Sequence, residues 1–465
     1  MKILITALFF CITIFSSNSQ TLNLHPVPQS IVYSLHNDDF TVRVRVPEGE
    51  WQDLFEYKVK VDLDNPQDAS MVQFDFEGKV ELMVKVNNGI VHDVKIRPTV
   101  KGIEHTLQGN IIYFSLDKPE KLSLEVNGDR LHNLHIFANE IEKEIPDPNA
   151  DDVVYFGEGV HTPKDAPGNI FRVKSNQTIY LAPGAVVQGK FVCNEVENVR
   201  FLGRGIILAA ERGFELTHSK NIEIDGITVI NPNHYTVYGG ESNNIKINNL
   251  KSFSCKGWSD GIDLMSCSDV TINDIFFRNS DDCIAIYTHR WTFYGDARNY
   301  RITNAVLWSD VAHPITMGMH GNTNIEGNVI ENIHFSDIYI LEHDEDDRNY
   351  QGCMAINVTD HNLAQNISFE NVWVENIQEG QLFNLRVLFN EKYSSGAGRC
   401  IRNIRFKNIF YTGYGENPSI IEGLDNSCMV EDVIFENIVI NGKRATSLKE
   451  ATIQLGKHTN SIEIK

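Results

Sequence analysis

Nine times between residues 198 and 440 the chain repeats one short pattern: Asn or Asp, then apolar–x–apolar, then a turn residue and a further apolar position. The copies run from "NVRFLGRG", "NIEIDGIT" and "NIKINNLK" through "DVTINDIF", "NYRITNAV", "NIHFSDIY" and "NISFENVW" to "NIRFKNIF" and "DVIFENIV". Their first apolar residues are Val199, Ile222, Ile245, Val270, Tyr300, Ile333, Ile367, Ile404 and Val433, spaced 23, 23, 25, 30, 33, 34, 37 and 29. A period that stretches without being lost marks a solenoid, whose coils bury a core only by stacking on one another. Apolar–x–apolar is strand periodicity, and the intervening Asn, Asp and Gly accept left-handed turn conformations. Such a repeat is too short for strands joined by crossover helices. The pattern predicts an all-β fold, a right-handed parallel β-helix over residues 149–465, with Asn amides stacking from coil to coil. The longer later coils predict loops that wall a groove on one face.

Residues 21–148 lack the repeat. Their alternating runs "FTVRVRV", "YKVKVDL", "KVELMVKV", "IIYFSL" and "KLSLEV" predict an antiparallel β-sandwich. The polar, Pro-containing "EIPDPNADD" at 144–152 marks the boundary. This domain is read as a cap on the first coil, with carbohydrate binding as the alternative. Residues 1–20 read as an export signal: Lys2, then "ILITALFFCITIF", then small residues at Ser17 and Ser19. The apolar run is too short to span a membrane, so a secreted or periplasmic protein is expected. A formal net charge of -21 argues against nucleic acid and anionic membranes as partners. Past the signal, the seven cysteines include no CxxC and fit no metal spacing, so most read as buried fillers, with a disulfide as the alternative, and no metal or cofactor is expected. Nothing in the sequence sets an oligomeric state.

"WSDGIDLMS" and "NSDDCIAIY" then gather Asp260, Asp263, Asp281 and Asp282 where apolar strand is expected. Asp260 and Asp281 are 21 residues apart, close to one coil, which predicts neighbouring layers on one face. Two adjacent acids cannot both serve as inward ladder groups, so Asp281 and Asp282 read as catalytic, whereas Asp263 reads as a turn or ladder residue. Glycosidases place an acid and a base about 6.5–9.5 Å apart for inversion and about 5–5.5 Å apart for retention. Splayed side chains on adjacent coils predict the wider spacing.

The stretch "WSDGIDLMSCSDVTINDIFFRNSDDCIAI" resembles the core of glycoside hydrolase family 28, the polygalacturonases and their relatives. That family's Asn-Thr-Asp-Gly is matched by Ser259-Asp260-Gly261, its Asp-Asp by Asp281-Asp282, and its Gly-His-Gly by "AHP" around His313. The resemblance covers about 300 residues of this chain, the β-helix part. A sandwich ahead of the helix with the same three acids also resembles glycoside hydrolase family 49, the dextranase and isopullulanase group. The resemblance implies an inverting hydrolase of a polysaccharide or oligosaccharide. Asp281 would be the general acid, Asp260 and Asp282 would deprotonate water, and His313 would orient the site or bind substrate. The family's Arg-Ile-Lys, whose cations hold a uronate carboxylate, is replaced by Ala355, Ile356 and Asn357, which argues against galacturonate.

Arg290 and Arg348 are candidates to return a cation to the groove, and Asn357 a polar contact. Trp291 and Tyr294, just past the acid pair, are the best candidates for a sugar-stacking subsite. Trp258, Trp308 and Tyr350 read as core or rim packing. The run "EHDEDD" at 342–347 reads as a solvated loop and not as a calcium site, for lack of regular ligand spacing. Two other readings compete, a polysaccharide lyase on the same fold and a non-catalytic carbohydrate-binding solenoid.

Overall fold

Every repeat residue stands on its predecessor in the coil before. Val199 pairs with Ile222, Ile222 with Ile245, and so on in parallel through Ile404 and Val433. A tenth station, Ile462, closes the column on Val433. The structure is a computed structural model and describes residues 20–163, 168–323 and 327–465. The export signal read over residues 1–20 thus lies outside the described residues, apart from Gln20. Among the described residues no helix is long and apolar enough to cross a membrane.

Two long parallel sheets build the solenoid. One carries the repeat. The other passes through Val237–Gly240, Ile262–Met265, Ile284–Tyr287, Ile315–Met317, Met354–Val358 and Phe383–Val387, and this second sheet carries the acids. Leading residues from Asn198 to Asp432 all hold positive φ, which Asn and Asp tolerate better than other side-chain-bearing residues. Their amides form the expected ladder: Asn198 donates to Asn176, Asn221 to Asn198 and Asn244 to Asn221, at 2.7–2.9 Å. It resumes from Asn299, which donates to Asp269 at 2.9 Å, but a carboxylate has no N–H to return to Asn244. The core between the sheets is Ile, Val, Leu and Phe in stacked files, with Cys193, Cys267, Cys283 and Cys353 buried among them. All seven cysteines among the described residues are free thiols.

The N-terminal unit is a sandwich of a six-stranded and a five-stranded sheet. All five alternating runs form strands, and Phe40–Arg45 shows the clean in–out burial its pattern predicts. Two further strands, Gln67–Glu77 and Asp129–Glu140, pair in parallel, so the first sheet is mixed and not purely antiparallel. Both are buried on two faces. Val72, Phe74, Leu134 and Ile136 fill the sandwich. Ala69, Met71 and Phe137 instead pack on the solenoid, against Val186, Leu208, Ile230, Phe253, Phe276, Val306, Trp308 and Leu341. The sandwich therefore lies along the flank of seven successive coils, which corrects its reading as a cap on the first. Buried ions join the same seam: Arg97 meets Glu125, Glu342 and Glu375 at 2.6–2.8 Å.

Candidate active site

The register of the second sheet decides how the acids stand. Ile262, Ile284 and Ile315 pair in turn, so the residues two positions ahead of each, Asp260, Asp282 and His313, form one column. Backbone bonds stitch it, from Gly261 N–H to Asp282 O and from Cys283 N–H to His313 O, both 2.8 Å. Asp281 stands one position out of that column, so Asp260 is stacked with Asp282 and not with Asp281. The Asp281 Oδ2 accepts the backbone N–H of Trp258 at 2.7 Å, and its Oδ1 that of Asp282 at 3.1 Å. Trp258 and Trp291 both hold positive φ, unusual for bulky residues and a mark of backbone fixed by its surroundings.

Oxygens of Asp260, Asp281 and Asp282 lie within 4.8 Å of one another. The wider spacing expected from splayed side chains is not found, because stacking at strand distance and the N–H bonds to Asp281 draw the three together. The same oxygens are close enough to hold a metal ion, but a calcium site needs six to eight oxygens.

Asp263 is no ladder residue. Its neighbours Ile262 and Leu264 point into the core, so strand alternation turns Asp263 outward, beneath the groove, where it is fully buried and 3.2 Å from Arg290. One oxygen each of Asp260 and Asp263 is buried with no donor in reach among the described residues. The two carboxyls lie close enough to act on each other, and a proton on Asp260 relieves their repulsion. Burial, with Asp263, Asp281 and Asp282 close by, holds Asp260 well above the usual carboxylate range. Burial also pushes Asp263 up to about 7, against the pull of Arg290. Burial and the charge of Asp282 push Asp281 up to about 6.

His313 is buried, with Nδ1 at 2.7 Å from Asp282 Oδ1, Nε2 at the carbonyl of Tyr350, and its ring edge-on to that tyrosine. Burial opposes its charge, yet Asp282, Glu345 and the Tyr350 carbonyl together raise its pKa.

The remaining candidates divide. Trp291 and Tyr294 stand 51% and 62% exposed, Trp291 against Arg290 and Tyr294 stacked on His289, and Trp258, bonded to Asp281, is 72% exposed. Trp308 is core, sandwiched between the guanidinium groups of Arg97 and Arg278. Arg290 is not a loose groove cation, since it is paired with Asp263 and lies over Trp291. Arg348 is exposed on the turn after the acidic run. Ala355 and Asn357 face outward between the core residues Met354, Ile356 and Val358, so that strand projects no positive charge. Both amide atoms of Asn357 are buried without a partner among the described residues. The next cation in its column is Arg386, one coil on, which approaches Glu422 at 3.5 Å.

The run at 342–347 is only partly a solvated loop. Glu342 is buried on Arg97, His343 is buried, and Asp344 bridges to Ala312. Burial pushes Glu345 up to about 7, with His313 and Asp282 near enough to act on it. Sequence reasoning also missed Tyr235 and Tyr287, buried tyrosines within electrostatic reach of the acids. Only strand register brings them there.

Residues 208–459 match the family model described as glycosyl hydrolases family 28. The chain belongs to that family. Exopolygalacturonase B of Aspergillus niger is 23% identical over 248 residues, 51% of this chain and 53% of that protein. An exopolygalacturonase of Arabidopsis thaliana is 25% identical over 195 residues, 41% of this chain and 42% of its own. The family 28 match thus spans about half the length of these curated relatives. Among solved structures, Dex49A from Penicillium minioluteum is similar over 92% of each chain, with a TM-score of 0.59 at 15% identity. That likeness extends the shared fold of this family 28 member through the sandwich.

Proposed function

We propose that this protein hydrolyses glycosidic bonds in a polysaccharide or oligosaccharide, with Asp281 as general acid and Asp260 and Asp282 acting on the attacking water. The observation that carries the reading is the three-carboxylate cluster, within 4.8 Å, in which Asp281 is raised to about 6. A carboxyl poised there keeps its proton in mildly acidic solution and can give it to a leaving oxygen. His313 fixes Asp282, which takes the proton of water. Asp260, raised by burial and the acids around it, positions that water. Trp258, Trp291 and Tyr294 offer ring faces to sugars. Family membership supports the reaction class, and the outward Ala355 and Asn357 argue against a uronate in the position they line.

Closely spaced oxygens fall on the retaining side of the separation rule, while the family resemblance implies inversion. The proposal commits to inversion. Asp260 is largely protonated and Asp282 is tied to His313, which leaves neither suited to attack carbon. Incubation with a polysaccharide panel, followed by reducing-end assay and proton NMR of the first product, tests both parts. Unsaturated products would mean a lyase. A product with the substrate's anomeric configuration would mean double displacement.

A further inference from the structure

The sandwich reaches the acids themselves. Between its strands Tyr57–Val61 and Gln67–Glu77, the turn 62–66 meets the coil that carries Asp281. Leu63 N–H donates to Ser280 Oγ at 3.0 Å, one residue from Asp281. Asp62 N–H donates to Asp310 Oδ2 at 3.0 Å. That same buried Asp310 takes Nε and Nη2 of Arg278 at 2.9 and 3.0 Å. Arg278 also donates to Asn133 of the sandwich at 2.9 Å. The thiol of Cys255, three residues before Trp258, donates to Val61 O. Both segments that hold Asp281 are thus anchored on the sandwich, and Asp64, Asn65 and Pro66 are left exposed beside them.

Acids outnumber cations on this side. Asp62 and Asp64 act electrostatically on Asp344, as does Glu379, and Asp344 bridges to Ala312 beside His313. Glu345 acts on the same site from the neighbouring turn. Arg130 stands against these acids, 3.4 Å from Asp62.

We propose that the turn at Asp62–Pro66 walls the substrate groove on the Asp281 side, and that its exposed Asp64 gives this wall an anionic rim selecting uncharged glycans over uronate polymers. This rests on the hydrolase reading and adds the substrate class. Like charges a few ångströms apart at a protein surface oppose each other, and salt weakens the effect.

The test is the ratio of kcat/KM on polygalacturonate to kcat/KM on the best neutral polysaccharide among dextran, xylan and galactan. Wild type should favour the neutral chain. Asp64→Lys, at an exposed position, should raise the ratio about tenfold at low salt, and high salt should erase most of the gain. Glu104→Lys, a charge reversal elsewhere on the sandwich surface, should leave the ratio in place. A wild type preferring polygalacturonate, or a ratio indifferent to Asp64→Lys, overturns this inference while the hydrolase reading stands. Silence on every glycan overturns both.

Discussion

His313 holds Asp282 twice: its backbone N–H at 3.0 Å and its ring Nδ1 at 2.7 Å reach the same oxygen. The backbone bond fixes the column, and the ring bond depends on the side chain. A charge-assisted bond of this kind contributes about 1.5–3 kcal/mol. His313→Ala is therefore expected to lower kcat about tenfold to a hundredfold, and His313→Asn, which keeps one donor, to recover part of it. Unchanged kcat and pH profile in His313→Ala would remove His313 from the site's machinery.

In the proposed mechanism Asp281 donates the proton, so Asp281→Asn should cost about 10²–10⁴ in kcat on natural glycans and much less on a substrate whose leaving group needs no proton. In wild type, kcat should fall as pH rises through about 6, where Asp281 ionises. That limb should vanish in the variant. Steady-state rates across pH on paired substrates check both.

Stability should carry the same signature. Asp281 at about 6 and Asp263 at about 7 hold protons that an unfolded chain, with its Asp pKa near 3.9, has released. With more protons bound when folded, the stability they contribute falls as pH rises from about 4 to about 7. Urea midpoints should be higher at pH 5 than at pH 8, and the difference should shrink in Asp281→Asn. An equal difference in both proteins would assign the effect to other groups.

Asp263 should keep Asp260 protonated. Its charge helps raise Asp260, so Asp263→Asn should let Asp260 ionise at lower pH, remove the neutral carboxyl that positions the water and move the alkaline limb of kcat downward. A structural role alone would lower the rate and leave the limb where it was.

The ladder offers a gain. Asp269→Asn supplies the missing N–H toward Asn244 while keeping an oxygen for Asn299. One amide bond contributes about 1 kcal/mol, so the unfolding midpoint should rise. No rise would mean that the two side chains do not meet.

The solenoid was legible because its repeat is strict where stacking is strict: one apolar column and its left-handed Asn recur in every coil. The acids were legible by their oddity, since Asp281 and Asp282 break a strand pattern. Their partnership was not, because pairing Asp260 with Asp282 depends on register between coils of unequal length. Asp263 misled for a related reason. Strand alternation turned it outward, while loops later in the chain buried it. Gln67–Glu77 and Asp129–Glu140 gave no alternation to read, being covered on both faces, and those strands carry the docking of the sandwich. Arg290 looked free because Asp263, 27 residues earlier, looked inert.

A stack of coils, each touching only its neighbours, can open anywhere and one turn at a time. Here a second body is laid across seven of them, from Val186 to Leu341, and gripped by apolar contact and buried ions. It works as a splint. No coil beneath it can loosen without lifting the sandwich from the other six, so the part of the rod that holds the acids melts as a block. The coils beyond Glu375, the last residue to bond Arg97, keep the freedom to fray.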